Sequence, residues 1–288
     1  MNRRITLGFS TCPNDTFIFH ALVHQLVPCE GIRFAAELKD VESLNQEARA
    51  ERYDVSKLSF AAIGRLLDRY GLLRSGAALG RGCGPLLVAR PGTVIRPQAR
   101  QVIAVPGLWT TANLLLGLFL PKPPMVMPMP FDLIMPSVRE GKADMGVIIH
   151  EGRFTYGEYG LAELCDLGAW WEERTSLPIP LGGIAIHRRT EEPIGRKIEE
   201  AIAASVRHAK QFPEASREYV HRHAREMSPA VIRQHISLYV NDFSIDVGGE
   251  GEKAIRLLFA KAAEKGLIPP PRGPLFAFEG KGRSLRDR

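Results

Sequence analysis

Apolar and polar positions along this chain switch between two periods. Short runs that are wholly apolar, or apolar at every second residue, predict strands at 4–9, 32–38, 55–58, 72–79 and 85–89. Between them, apolar residues three and four apart predict helices near 16–25, 41–51 and 59–70. In the last of these, Phe60, Ile63, Leu66, Leu67 and Tyr70 share one face. Residues 90–100, with two prolines and a glycine, break the pattern and read as a linker. A fresh alternation follows, with strands at 101–105, 125–129, 144–149, 161–167 and 181–187 and helices at 111–120 and 131–140. Residues 188–193 read as a second crossing. From Ile194 onward the period is helical, with Ile194, Ile198, Ala201, Ile202 and Val206 on one stripe and further helices near 213–226, 229–241 and 250–265.

Alternating strands and helices are the mark of sheets covered by helices, so the class is α/β. The C-terminal helices have no sheet of their own and are expected to pack back on the first unit. The chain then crosses twice between two lobes, with a ligand cleft between them. The predicted larger lobe is 1–98 with 189–275, the smaller is 99–188, and 276–288 is a basic, disordered tail.

Composition narrows the function classes. No apolar run approaches the ~18 residues of a membrane helix, and residues 4–9 run into a polar turn, so neither a membrane span nor a signal peptide is expected and the cytoplasm is the expected compartment. Cys12, Cys29, Cys83 and Cys165 are scattered without metal-ligand spacing, which predicts reduced thiols and no metal. Half of the formal charge of +6 falls within residues 267–288, and no basic run interleaved with aromatics occurs elsewhere. That argues against nucleic acid and leaves an anionic small molecule as the expected partner. Oligomeric state is left open.

Candidate chemistry gathers at strand ends. The turn Ser10-Thr11-Cys12-Pro13-Asn14-Asp15 separates an apolar strand from an apolar helix. Asn14 or Asp15 is placed to cap that helix or to face a ligand at its N-terminus, where backbone N–H groups lack partners. Ser59 follows the strand at 55–58, and Thr110 and Thr111 follow the strand ending at Val105; each sets a hydroxyl beside free N–H groups, where Ser59 and one of the threonines either cap their helices or face a ligand. The strand at 144–149 delivers His150, a general-base candidate because its ordinary pKa of ~6.5 leaves it largely neutral. Arg153 just beyond it, and Arg81 in the glycine-rich Gly80-Arg81-Gly82-Cys83-Gly84-Pro85, are candidate carboxylate ligands, although the latter segment reads equally as a tight turn at a domain edge. Cys12 has no base partner in the sequence and is expected to be buried and inert. Trp170 and Trp171 are expected to cover the core.

Six segments carry a family resemblance: Ser10-Thr11-Cys12-Pro13-Asn14-Asp15-Thr16-Phe17, Lys57-Leu58-Ser59, Thr110-Thr111, Ile148 through Tyr156, Asp166 through Thr175, and Tyr239 through Ser244. With them the chain resembles the 1,4-dihydroxy-6-naphthoate synthases of menaquinone biosynthesis by the futalosine route, from Ile5 to about Pro274. The resemblance implies a type II periplasmic-binding-protein-like fold, each lobe a mixed sheet covered by helices. It also implies a cofactor-free lyase that converts cyclic dehypoxanthine futalosine to 1,4-dihydroxy-6-naphthoate and dihydroxyacetone. By position it makes Lys57, Leu58 and Ser59 one substrate-binding segment, Thr110 and Thr111 another, and His150 the proton acceptor. Thr11, where the family often has proline, and Trp109, where it can have histidine, depart from the pattern. Chorismate dehydratase in the same superfamily and a non-catalytic receptor for a small carboxylate are the alternatives.

Overall fold

The computed structural model describes residues 3–96, 100–224 and 228–278. The chain begins β1 (Arg3–Phe9), α1 (Pro13–Val23), β2 (Ile32–Leu38), α2 (Val41–Arg49), β3 (Val55–Ser59), α3 (Phe60–Arg65), β4 (Tyr70–Leu72) and β5 (Ala78–Gly80). It continues through β6 (Leu86–Ala89), β7 (Val102–Val105), α4 (Thr111–Phe119), β8 (Met125–Pro128), α5 (Phe131–Arg139), β9 (Met145–Ile148), α6 (Gly152–Thr155) and β10 (Ala162–Asp166). Then come α7 (Leu167–Thr175), β11 (Ile179–His187), α8 (Glu192–Gln211), α9 (Arg217–His223), α10 (Pro229–Tyr239), α11 (Asp242–Ile245) and α12 (Gly248–Glu264).

Two mixed sheets result. The first runs β2-β1-β3-β11-β4, with β5 also on β11; the second runs β10-β6-β9-β7-β8. β1 is parallel to β2 and β3, while β11 is antiparallel to β3, β4 and β5. In the second sheet β7 is parallel to β8 and β9, and β6 is antiparallel to β9 and β10.

Period-two patterning decides which face each strand residue covers. Ile5, Leu7 and Phe9 of β1 pack with Phe17, Ile18 and Leu22 of α1 and with Ile198, Ile202 and Val206 of α8. Leu86 and Val88 of β6 face Ile134 and Val138 of α5, whereas the alternate residues Leu87 and Ala89 join a central core. That core runs from Leu58 and Phe60 through Leu114–Leu116 of α4 to Met145 and Val147 of β9, so the lobes share buried apolar packing. Trp171 is buried in it, as expected for a core-covering residue, and its Nε1 donates to Pro178 O at 3.1 Å.

The lobe boundaries differ from the sequence expectation. β6 belongs to the second sheet and β11 to the first, so the chain crosses between Gly80 and Leu86 and again between Asp166 and Ile179. The proline-rich 90–100 stretch links two strands of the same sheet, and 188–193 merely joins β11 to α8; residues 97–99 lie outside the described residues. The true first crossing is the glycine-rich segment at 80–85. The two crossings touch at a glycine pair, where a Cβ on Gly84 would collide with the Gly168 backbone.

Two further expectations change. The helix predicted at 59–70 ends at Arg65, because Tyr70 enters a strand paired with His187, although the whole apolar face is buried. The strand predicted at 72–79 splits in two around Gly76, which adopts φ +83°. Part of the proposed tail is packed: Phe276 bridges to Leu72, and Phe278 covers Gly195 so closely that a Cβ there would collide with it. The tail expected at 279–288 lies outside the described residues.

Candidate functional site

The ends of β1, β3 and β9 and the start of α4 meet at one cavity, partly open to solvent. Asn14, Asp15, Lys57, Leu58, Ser59, Thr110, Thr111 and His150 all line it, together with Ser10, Cys83, Ala112, Leu181 and Tyr239. Eight of the ten sequence-predicted site residues therefore converge.

α1 begins two residues earlier than a cap at Asn14 requires, and three earlier than a cap at Asp15. Pro13 opens it with its fixed φ, and Cys12 stands at the cap position without a side-chain cap bond. Asn14 and Asp15 thus fall in the first turn. The Asp15 carboxylate folds back to accept from Ser10 N at 3.2 Å and Ser10 Oγ at 2.7 Å, and Asn14 Nδ2 donates to it at 2.9 Å. Lys57 Nζ closes the cluster 2.8 Å from Asp15 Oδ1, an ion pair whose side chains are 7% and 2% exposed. An unpaired charge at that depth is strongly destabilising, so the two residues require each other.

Ser59 also does not cap its helix with its side chain. Its Oγ accepts from Asn45 Nδ2 at 3.1 Å and its N–H donates to Asn45 Oδ1 at 3.0 Å, which leaves the hydroxyl proton for a ligand. Asn45 is fully buried on α2, and Nδ2 reaches on to Trp109 O at 3.3 Å in the segment leading to Thr110. The Trp109 indole lies near two first-lobe guanidinium groups, 5.7 Å from Arg49 and 5.4 Å from Arg65. Trp109 N donates to the Glu42 carboxylate. Burial raises the pKa of that carboxyl, outweighing bonds from Gln46, Asn45 and Trp109.

Of the three hydroxyl residues expected to cap a helix or face a ligand, Thr110 is the one that caps, and both threonine hydroxyls are committed within the protein. Thr110 Oγ1 donates to Gly107 O at 2.8 Å and accepts from Asn113 N as the N-cap of α4. Thr111 Oγ1 donates to Leu181 O at 2.6 Å and accepts from Ala61 N at 3.3 Å, fastening α4 to the first lobe. Both hydroxyl protons are thereby engaged. What α4 offers an anion is its first-turn backbone N–H groups, at Thr111 and Ala112, which no intrahelical bond uses.

His150 follows β9 with φ +56°, a left-handed conformation costly for a non-glycine residue. Its Nε2 lies 3.5 Å from Cys12 Sγ, its ring meets the edge of Phe131 with centroids 5.1 Å apart, and it stacks on His235 at 6.0 Å. Cys12 therefore has the base neighbour that the sequence did not reveal. Burial pushes the thiol pKa far up, and the Glu151 and Asp15 charges push it further, so it remains a thiol.

Two candidates lie elsewhere. The exposed Arg81 guanidinium donates to Ser176 O and to Glu250 Oε1, away from the cavity. Arg153 donates to Gly84 O at 2.7 Å and to Asp166 Oδ2 at 2.6 Å, so one cation holds both crossing segments rather than a carboxylate ligand. Among the described residues no cluster of histidine, cysteine and carboxylate side chains suits a metal, and no helix is long and apolar enough to cross a membrane.

The sequence missed Asn45, Tyr239 and His235. The last two sit with Ile232 at helical spacing on the buried stripe of α10, a weak signal that a histidine there faces inward.

Across residues 5–264 the chain matches the family described as menaquinone biosynthesis. It is 49% identical over 280 residues to a 1,4-dihydroxy-6-naphthoate synthase of Thermus thermophilus, covering 94% of this chain and 98% of that protein. A protein of the same name from Streptomyces coelicolor is 45% identical over 273 residues, covering 92% and 95%. Among solved structures, protein AF1704 of Archaeoglobus fulgidus superposes with a TM-score of 0.86 at 34% identity, over 92% of this chain and 98% of that one. The alkanesulfonate-binding protein SsuA of Xanthomonas axonopodis pv. citri gives 0.68 at 11% identity, over 93% and 96%, and shares the periplasmic-binding-protein fold.

Proposed function

The chain belongs to the menaquinone biosynthesis family, and on that footing we propose that it is a 1,4-dihydroxy-6-naphthoate synthase. It is a lyase that converts cyclic dehypoxanthine futalosine to 1,4-dihydroxy-6-naphthoate and dihydroxyacetone. The reading rests on relatives of that name aligned along nearly the whole chain; the convergence of Lys57, Ser59, Thr111 and His150 on one cavity supports it.

The substrate joins an aromatic carboxylate to a sugar-derived ring. Ser59 O–H and the first N–H groups of α4 are the donors suited to the carboxylate, with the positive end of the helix dipole behind them. Lys57, neutralised by Asp15, adds a donor without adding net charge to the cavity. His150 acts as proton acceptor, starting the ring opening and carbon–carbon cleavage that release dihydroxyacetone, and formation of the second aromatic ring drives the reaction forward. As written, the reaction draws on no cofactor. We place it in the cytoplasm with the rest of this biosynthetic chemistry.

Purified protein incubated with cyclic dehypoxanthine futalosine should release the naphthoate and dihydroxyacetone in equal amounts, followed by chromatography and mass spectrometry. Intact substrate over folded protein would overturn the reading. His150→Ala should keep the fold and lower turnover by ~10²–10⁴-fold, the range for a lost general base.

A further inference from the structure

The polar chain leading away from the cavity ends at a histidine that the reaction as described does not use. His235 is fully buried on α10, and its Nε2 lies 2.9 Å from Asn14 Oδ1. The Asn14 amide can point only one way, because its Nδ2 donates to Asp15 Oδ1, the atom that also accepts from Lys57. Asn14 Oδ1 is therefore an acceptor, His235 Nε2 carries the proton, and Nδ1 is an unprotonated nitrogen without a hydrogen-bond partner among the described residues.

The His235 ring stacks on His150, with centroids 6.0 Å apart and planes 26° from parallel. Tyr239, one turn further along α10, tilts against it at 4.6 Å. The titratable groups around the pair are Cys12 at the cap of α1, Asp15 in its first turn, Lys57 from β3, Glu151 beside His150, and Tyr239 from α10. Burial holds His235 well below the usual histidine range, and the neighbouring His150 and Lys57 add to the effect. The ring is thus uncharged whether or not His150 carries a second proton.

A histidine that accepts a proton becomes a cation while it holds it. A neutral aromatic face within about 6 Å attracts that cation, whereas a second charged ring would repel it. We propose that His235 is a positioning residue for the proton-transfer step: it presents an aromatic face to His150, held in place through Asn14 and Asp15. The proposal rests on His150 being the proton acceptor.

His235→Leu and His235→Phe, measured beside His150→Ala with thermal unfolding as the check on folding, separate the possibilities. His235→Leu should lower kcat about tenfold, leave KM within about threefold, and move the acid limb of the kcat–pH profile to lower pH, because the His150 cation has lost its support. His235→Phe keeps a neutral face but cannot bond Asn14; it should recover kcat to within about threefold of the parent and return the limb. Should His235→Leu fail to fold, His235→Gln, which keeps a donor toward Asn14 and removes the face, should show the same loss. Loss variants and His235→Phe behaving alike in kcat and limb position, or an effect confined to KM, would overturn the proposal. In that case a crippled His150→Ala leaves the proton-acceptor reading standing, and a fully active His150→Ala removes both.

Discussion

Asp15 shows how one residue can be visible in a sequence and still be misread. Its place after a strand suggested a helix cap, yet its carboxylate is committed to Ser10, Asn14 and Lys57. Nothing in the local pattern connects Asp15 to a lysine on another strand, because that pairing exists only once β1 and β3 lie side by side. Asp15→Asn should therefore cost about 3–5 kcal/mol in urea unfolding, the range for a buried charge left alone, while the double variant Asp15→Asn with Lys57→Met should recover most of it. The threonines carry the same lesson. Their location at the cavity was legible from strand-to-helix punctuation, but the commitment of their hydroxyl protons to Gly107 and Leu181 was not.

Between elements, the informative joint is where the two crossings meet. Arg153 binds Gly84 O on one and Asp166 on the other, and Asp166 in turn caps α7 through Gly168 N and Ala169 N. Arg153→Leu should destabilise the protein by about 2 kcal/mol, since a partly buried carboxylate and a carbonyl lose their donor. The variant's KM should stay near the parent value, whereas a carboxylate ligand in the cavity would raise it; urea unfolding and initial rates read the two effects. Strands and helices were largely legible because period-two and 3.6-residue patterns report burial directly. The crossings were not, because proline-rich 90–100 looks like a linker whether it joins two lobes or two strands of one sheet. Only sheet pairing distinguishes the cases.

For the molecule as a whole, the buried histidine predicts how stability responds to acid. The native state keeps His235 neutral well below its ordinary pKa of 6.5, whereas the unfolded chain protonates it near that value. Below about pH 6.5 the unfolded state therefore binds the additional proton, and stability falls as pH drops toward the lower native pKa. Urea unfolding between pH 7 and 5 should show a slope for His235→Phe shallower by up to about 1.4 kcal/mol per pH unit. The position of β11 has a different consequence. It lies in the middle of the first sheet, between β3 and β4, yet it follows every strand of the second. As the chain leaves the ribosome, the lobe that comes second in sequence has all its strands first. β4 and β5 join β1, β2 and β3 only through a central neighbour translated about a hundred residues later, and the cavity wall is finished only when α10 brings in Tyr239. A chain cut short before Ile179 has the histidine side of its reaction chamber, but only β2, β1 and β3 of the sheet that faces it, with β4 and β5 lacking the strand they pair with.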